Sequence, residues 1–406
     1  MTHRRVLVHD YSGHPFQLQL SRALANRGHE VLHLYSSDFT TGQGATTVTE
    51  DDPDSLAIEP VGIGLQFAKY SPLRRTIHEV RYGLKLRKRV KRWGPDVIIS
   101  SNTPLLSQAV LMSLVVTRRI PFVFWLQDVY SLLITEALAQ RFGKVGHWVG
   151  ALFGRLEAKM LRLSDAAVVI TDDFRPILRR WKVDSSRVKT VPNWAPLEEL
   201  PPTSRANAWA TEFGLAGESP VFVYSGTIGH KHRPDLLLAL ADALPDATVL
   251  VVSEGPGADW LRKQNDQKRR SNLRVVPFQP YERLPEVLGS ADVLVAVLEP
   301  DAGVYSVPSK VLSYLCAGRP ILASMPMENL AARTILANNA GLVASPTDDD
   351  QFIAFGRELF EDADLRMLQG KAARSYAANA FDIDSIADQF IETVDSAVAV
   401  RATRNG

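Results

Sequence analysis

Short apolar runs of strand length alternate with stretches of helical periodicity along most of this chain, and that alternation constrains the fold more than any single motif. The opening Arg5-Val6-Leu7-Val8 runs into a polar turn containing Gly13. A helix follows with Phe16, Leu20 and Leu24 on one face and ends at Gly28, and 30–35 reads as a second strand. Strand, helix and strand at this spacing make a βαβ unit of a parallel sheet. Further buried strands are expected at 97–100, 122–125, 167–170 and 188–191. Pro192, Pro196, Pro201 and Pro202 then interrupt the pattern and read as a stiff linker. The alternation resumes at 221–224, 248–252, 273–276, 293–297 and 320–323. A long helical stretch, 385–400, closes the chain with Ile386, Phe390, Ile391 and Val394 on one side. The pattern predicts an α/β protein of two Rossmann-like, doubly wound domains facing across a cleft. The expected boundaries are 1–200 and 201–384, with 385–406 a helix crossing back to the first domain. Ligands of such sheets bind beyond the carboxyl ends of the strands, so the cleft is the expected site.

At 406 residues the chain exceeds one ordinary core, which agrees with two domains. A net charge of +1 argues against a general polyanion binder, so any cationic site must be local. The lone Cys316 excludes an internal disulfide and fits a reducing compartment. The start, Met1-Thr2-His3-Arg4-Arg5, leads into a short strand rather than a long apolar signal region. No run approaches the ~20 apolar residues of a spanning helix, and the stretch around Ala109–Val116 reads as a buried helix. A cytoplasmic protein is expected. Asp52-Pro53-Asp54 and Asp382-Ile383-Asp384 are poor metal signals, and no Cys/His cluster has zinc spacing. No G-x-S-x-G elbow supports a serine hydrolase.

The richest local signal is Val307-Pro308-Ser309-Lys310, followed by a short helix and then Gly318-Arg319-Pro320. Ser309 is placed to cap that helix, leaving backbone N–H groups pointing at the turn, and Lys310 adds a full charge beside them. Helix N-terminus, hydroxyl and ammonium together suit a diphosphate. Ser225-Gly226-Thr227-Ile228-Gly229 follows a strand of the same domain, with Lys231 and Arg233 after it. Such a glycine turn is often merely a turn, but here it lines the same rim. Ser253-Glu254-Gly255-Pro256-Gly257 ends another strand there and is a minor candidate for the ligand wall.

In the first domain Gly13 and His14 occupy the first strand-to-helix turn. Tyr11-Ser12-Gly13-His14-Pro15 lacks G-x-G-x-x-G spacing, which disfavours NAD or FAD, yet glycine still permits close approach of a second substrate. Gln127-Asp128 ends an otherwise apolar strand, where a carboxylate can serve as general base, orient an acceptor hydroxyl or merely cap a helix. Residues 69–93 are strongly basic and amphipathic, with Leu73, Ile77, Val80 and Leu84 at helical spacing. A solvated face is the ordinary reading, but the excess of one sign favours an anionic lipid surface or a lipid-diphosphate acceptor. Nucleic acid is disfavoured for want of interleaved aromatics or a binding motif.

Taken jointly, Gly28-His29-Glu30-Val31, Val191-Pro192-Asn193, Ser225-Gly226 through Lys231, Ser253-Glu254-Gly255-Pro256, Phe278 with Leu284-Pro285, and Pro308-Ser309-Lys310 through Gly318-Arg319-Pro320 resemble the retaining GT-B glycosyltransferases of group 1, family 4. The Pro-Ser-Lys form and Gln127-Asp128 are similar to the branch that builds bacterial surface polysaccharides. The resemblance implies a nucleotide-diphosphate sugar, such as a UDP-sugar, held by the second domain, and transfer of a hexosyl or N-acetylhexosaminyl group. It implies catalytic roles for Asp128, Lys231 and Lys310. Donor binding would involve Gly226, Gly229, Glu254, Phe278, Gln279, Val307, Pro308, Ser309 and Ser313 besides the two lysines. The acceptor, a glycan or lipid-linked precursor, would meet Gly13, His14, Gln127 and Asp128. No cofactor and no obligatory metal are implied, and a peripheral place at the inner face of the plasma membrane is. The sequence departs from the family at Tyr305 and Ser313, which stand where most members carry paired glutamates. Two rivals remain open: a nucleotide-sugar epimerase, and a catalytically weak nucleotide-sugar-binding protein.

Overall fold

The computed structural model describes residues 2–38, 44–64, 72–229, 232–268, 270–300 and 308–405. They form two compact units, one of Met1–Pro192 with Ile383–Gly406 and the other of Asn193–Asp382.

The first unit is built on seven parallel strands: β1 (Arg5–Asp10), β2 (Glu30–Ser36), β3 (Leu56–Val61), β4 (Val97–Ser101), β5 (Phe122–Leu126), β6 (Ala166–Val169) and β7 (Val188–Thr190). Their spatial order is β3-β2-β1-β4-β5-β6-β7, with Val6 in register with Val31 on one side and Val97 on the other. The central strands β4 and β5 are buried throughout, which is why they read as continuous apolar runs. The edge strand β3 carries Glu59 and Pro60 and was not visible as a strand in the sequence. An edge tolerates a proline because no ladder hydrogen bond is needed on its outer side.

Helix α1 (Pro15–Asn26) packs against the C-terminal helix (Ile383–Asn405), which also covers β5 and β6. That last helix is pinned by Phe390 against Trp125, ring centroids 4.6 Å apart, and by Arg27, which reaches Asp384 at 2.9 Å and Asp388 at 3.2 Å. Its far end carries Arg401, which donates to the fully buried Asp165 at 2.9 and 2.6 Å. Helix α2 (Pro72–Trp93) packs on α3 (Leu105–Arg118), and α3 on α4 (Tyr130–Leu163). Helix α4 is folded back on itself. Gly143, at φ 55° and ψ −130°, breaks it into two arms. A Cβ on Gly146 would lie 1.9 Å from the Leu138 carbonyl oxygen, and one on Gly150 would lie 2.3 Å from Thr135 Oγ1. Glycines at four-residue spacing thus let the two arms touch as an antiparallel hairpin. A short helix, α5 (Arg175–Arg180), follows β6.

The second unit opens with the proline-rich stretch. It is packed rather than free: Trp194, Ala195 and Leu200 are buried, and the Leu200 carbonyl accepts from Arg374 at 3.2 Å. The expectation of a stiff linker over 192–202 is corrected accordingly. Helix α6 (Ala208–Glu212) leads to six parallel strands: β8 (Val221–Ser225), β9 (Thr248–Val252), β10 (Leu273–Val276), β11 (Val293–Val297), β12 (Ile321–Ser324) and β13 (Gly341–Ala344). They lie in the order β10-β9-β8-β11-β12-β13. Between them run α7 (Pro234–Ala243), α8 (Pro256–Lys268), α9 (Leu284–Gly289), α10 (Ser309–Ala317) and α11 (Leu330–Ala337), and α12 (Asp349–Glu361) and α13 (Ala363–Ala380) follow. Phe222, Val249, Val251, Leu240 and Phe352 meet in its core, each essentially without solvent exposure.

Candidate functional site

In a parallel sheet every strand-to-helix loop emerges at one rim, and the point where strand order reverses opens a crevice there. In the second unit that point lies between β8 and β11. The Gly226 turn follows β8, and Pro308, Ser309 and Lys310 follow β11, so the fold brings these two sequence-predicted segments to the same place. Gly226 sits at φ +133°, and a Cβ there would come within 3.1 Å of Lys310 Cε and 3.2 Å of Nζ. The backbone conformation favours glycine at this position, and any side chain there would press on the end of Lys310.

Lys310 lies in the first turn of α10. Its ammonium hydrogen-bonds Tyr224 Oη and stands 3.7 Å from the Tyr224 ring centroid. Tyr224 in turn donates to the Thr227 carbonyl at 3.0 Å. Among the described residues no carboxylate pairs with Lys310, and burial pulls its pKa down from 10.5 to about 7. A half-buried cation beside a helix N-terminus, with no carboxylate partner among the described residues, is a place where an anion gains most. Tyr314, one turn further along α10, fixes that helix to the rim: its hydroxyl accepts from Ser225 N–H at 2.9 Å and lies 3.3 Å from the Val295 carbonyl. Gly318 closes α10 in the left-handed conformation at φ 67°.

One expectation needs correction here. Pro308, not Ser309, holds the capping position of α10, and no side chain caps it. Ser309 is the first helical residue and is exposed. The N-terminus is therefore left open by proline rather than closed by serine. Ser313, half-buried, has no hydrogen-bond partner among the described residues. Arg233 is committed elsewhere, donating to Asp349 at 2.7 Å and to the Pro346 carbonyl at 2.9 Å. Lys231, Val307 and Tyr305 lie outside the described residues.

Along the same rim, Glu254 after β9 accepts from Phe278 N–H at 3.3 Å, and Phe278 is half-exposed. Gln279 is turned inward: its amide oxygen accepts from Trp209 Nε1 at 3.0 Å and its nitrogen donates to the Pro277 carbonyl at 3.0 Å. Gly229 is exposed, with its N–H donating to His232 Nδ1 at 3.2 Å.

The first unit has its own reversal, between β1 and β4. Gly13, at φ 71°, lets the chain turn sharply after β1, so that Asp10 accepts from the backbone N–H of Ser12 at 3.0 Å and from that of His14. His14 Nδ1 lies 3.4 Å from Asp10 Oδ2 and 3.1 Å from Asn102 Nδ2, at the end of β4. Burial opposes the charge on His14, but Asp10 and then Asp128 outweigh it and raise the His14 pKa. Burial likewise works against the Asp10 carboxylate, yet the charge and hydrogen bonds of His14 hold its pKa below the usual value. The predicted His14 and Asp128 are thus electrostatically coupled, and Gln127 is buried beside Asp128. Asp10 and Asn102 were missed in the sequence. Beneath them His9, fully buried, contacts Thr103 Oγ1 at 2.9 Å and Tyr82 Oη at 3.0 Å. Burial drives its pKa to about 3, so it is neutral and structural. Among the described residues no group of three His, Cys, Asp or Glu side chains is disposed to hold a metal ion.

Two Rossmann-like units, each with polar residues gathered at its strand-order reversal, define the class: this is a GT-B fold. Sucrose-phosphate synthase from Thermosynechococcus elongatus superposes with a TM-score of 0.74 at 18% identity, covering 98% of this chain and 99% of that one. Anabaena HepE, solved in complex with UDP and glucose, gives 0.69 at 14% identity over 97% and 100%. The family model for a glycosyl transferase 4-like domain matches residues 14–194, and that for glycosyl transferases group 1 matches residues 207–376. The chain belongs to the group 1 glycosyltransferases and is a sugar-transferring enzyme. A curated relative, the putative colanic acid biosynthesis glycosyl transferase WcaI of Escherichia coli K12, is 24% identical over 310 residues, 75% of each chain.

Proposed function

We propose that this enzyme moves a hexosyl or N-acetylhexosaminyl group from a nucleotide-diphosphate sugar to a lipid-linked or polysaccharide precursor, with retained anomeric configuration. The observation that carries the donor assignment is Lys310: an ammonium with no carboxylate partner among the described residues, at the open N-terminus of α10, against Gly226, at the reversal point of the second sheet. Support comes from HepE, which was solved with UDP and glucose, and from WcaI, named for colanic acid biosynthesis.

Cleaving the sugar–phosphate bond builds negative charge on the departing diphosphate. Lys310, the first N–H groups of α10 and Lys231 are assigned to stabilise that charge, with no obligatory metal. Glu254 and the exposed face of Phe278 are assigned to the nucleoside end. Gly13, His14, Gln127 and Asp128 are assigned to the acceptor, with Asp128 orienting or deprotonating its hydroxyl. An anionic membrane contact through α2 is part of the same reading and is consistent with a peripheral place on the cytoplasmic side. Among the described residues no helix is long and apolar enough to cross a membrane.

The test is Lys310→Ala, assayed after a thermal-shift screen of UDP-, GDP-, ADP- and dTDP-sugars has chosen the donor. Turnover should fall by roughly two to three orders of magnitude. Near-normal turnover would remove Lys310 from the chemistry, and product formed from donor alone would favour an epimerase.

A further inference from the structure

We propose that the α4 hairpin is a docking element that seats this chain on an anionic lipid surface. The inference rests on the membrane contact of the proposed function and places it on α4 rather than on α2 alone; it does not depend on the identity of the donor or the acceptor.

The hairpin shows an unusual surface. Around its bend Phe142 is 50% exposed, Val145 69%, Trp148 76% and Leu152 55%. These side chains cluster on the outer face of the second arm, with Phe142 at the tip. A tryptophan left three-quarters in water, next to other large apolar groups, marks a patch that another phase or partner covers. The charge around it has one sign. Between Glu136 and Glu157 the chain has no acidic residue, while Arg141, Lys144 and Arg155 are exposed there. Glu157 itself is fully buried, accepting from Ser131 N–H at 3.0 Å. At the base of the hairpin a cavity of about 580 Å³ is bordered by Arg155, Arg162, Arg180 and Lys182 and by no carboxylate. Apolar side chains flanked by cations, with tryptophan between, is the composition that settles at a headgroup boundary.

The shape is fixed in advance. Gly146 and Gly150 hold the two arms in backbone contact, so the patch is presented by a rigid projection and little ordering is needed on docking. Helix α2, the segment marked by the sequence, is less free. Arg89 is paired with Glu59 at 2.6 Å, Arg75 with Glu79 at 2.8 Å, and Lys85 donates to the Gly62 carbonyl at 2.6 Å. Since α3 separates α2 from α4 in one layer, the remaining cations of α2 can supplement the hairpin's charge. A second copy of the chain is a poorer occupant. A two-fold contact through this face would gather Lys144 and Arg155 of both copies in one interface with no acidic residue between Glu136 and Glu157 to offset them, and like charges would oppose it.

The experiment is vesicle co-sedimentation of the full chain. Vesicles of phosphatidylcholine with phosphatidylglycerol should take up the protein at least about tenfold better than phosphatidylcholine alone, and salt should weaken the uptake. Val145→Glu with Trp148→Glu should lower uptake at least about tenfold, whereas Arg141→Ala with Lys144→Ala should remove mainly the preference for the anionic lipid. Melting temperature and its increment with UDP should match the wild type in both variants, which separates failure of docking from failure of the donor site. Should the glutamate variant not fold, quenching of wild-type fluorescence by brominated acyl chains, compared with Trp148→Phe, replaces it. The proposal falls if the wild type stays with the supernatant, if the glutamate variant sediments normally, or if Trp148 escapes quenching. It also falls if light scattering shows a lipid-free dimer that the glutamate variant abolishes.

Discussion

On the proposed donor reading, the proton affinity of Lys310 is tied to its affinity for a diphosphate. Its pKa, lowered by burial from 10.5 to about 7, means the folded chain binds fewer protons than the unfolded one between those values. The sign follows: this group weakens the fold most below about 7 and ceases to do so as pH rises toward 10.5. A diphosphate bound there would supply a counter-charge and draw the proton back. Binding of UDP should therefore take up protons, and its affinity should decline as pH climbs above about 7. Calorimetry in two buffers of different ionisation enthalpy measures the uptake, and Lys310→Met should abolish it. An uptake unchanged in the variant would place the titrating group elsewhere. At this scale the sequence was legible where charge interrupts apolar runs, as at Asp128. Asp10 gives the same signal at the end of β1 but was read as part of a polar turn. Asn102 offered none, because its importance lies in a backbone at φ 50° and in contact with a histidine distant in the chain.

Among the elements, the C-terminal helix is anchored at both ends, by Arg27 at its start and by Asp165 at its close. Asp165 is fully buried, and its Oδ2 accepts from Phe122 N–H as well as from Arg401. Arg401→Met leaves that carboxylate short of its main partner and should cost the first unit about 3 kcal/mol, measured by urea unfolding. A loss below about 0.5 kcal/mol would show the pair to be as dispensable as a surface bridge. The central strands were legible because burial on both faces demands unbroken apolar runs. Of the four edge strands, β7 and β10 were legible and β3 and β13 were not: β3 carries Glu59 and Pro60, and β13 opens on Gly341. The α4 hairpin was also invisible as such. The glycine spacing of 146, 150 and 154 is legible in principle, but only the left-handed bend at Gly143 tells that the facing helix is the same one.

Across the whole molecule, the two units share one chain unequally. Deleting 383–406 strips Phe390 from Trp125 and Arg401 from Asp165, contacts wholly inside the first unit. Scanning calorimetry with and without UDP should show the first unit's transition lowered or lost and the UDP-responsive transition kept. Equal lowering of both would mean that the units melt as one cooperative body.

The path of the chain carries a temporal consequence. Because 193–382 is spelled out between two portions of its neighbour, the ribosome finishes the middle lobe while the amino-terminal one is still missing a wall. The usual order of vectorial synthesis, first segment folded first, is reversed here. The middle lobe can mature on its own as it emerges. The amino-terminal lobe, with Asp165 still lacking Arg401, must wait for 383–406 before it can close.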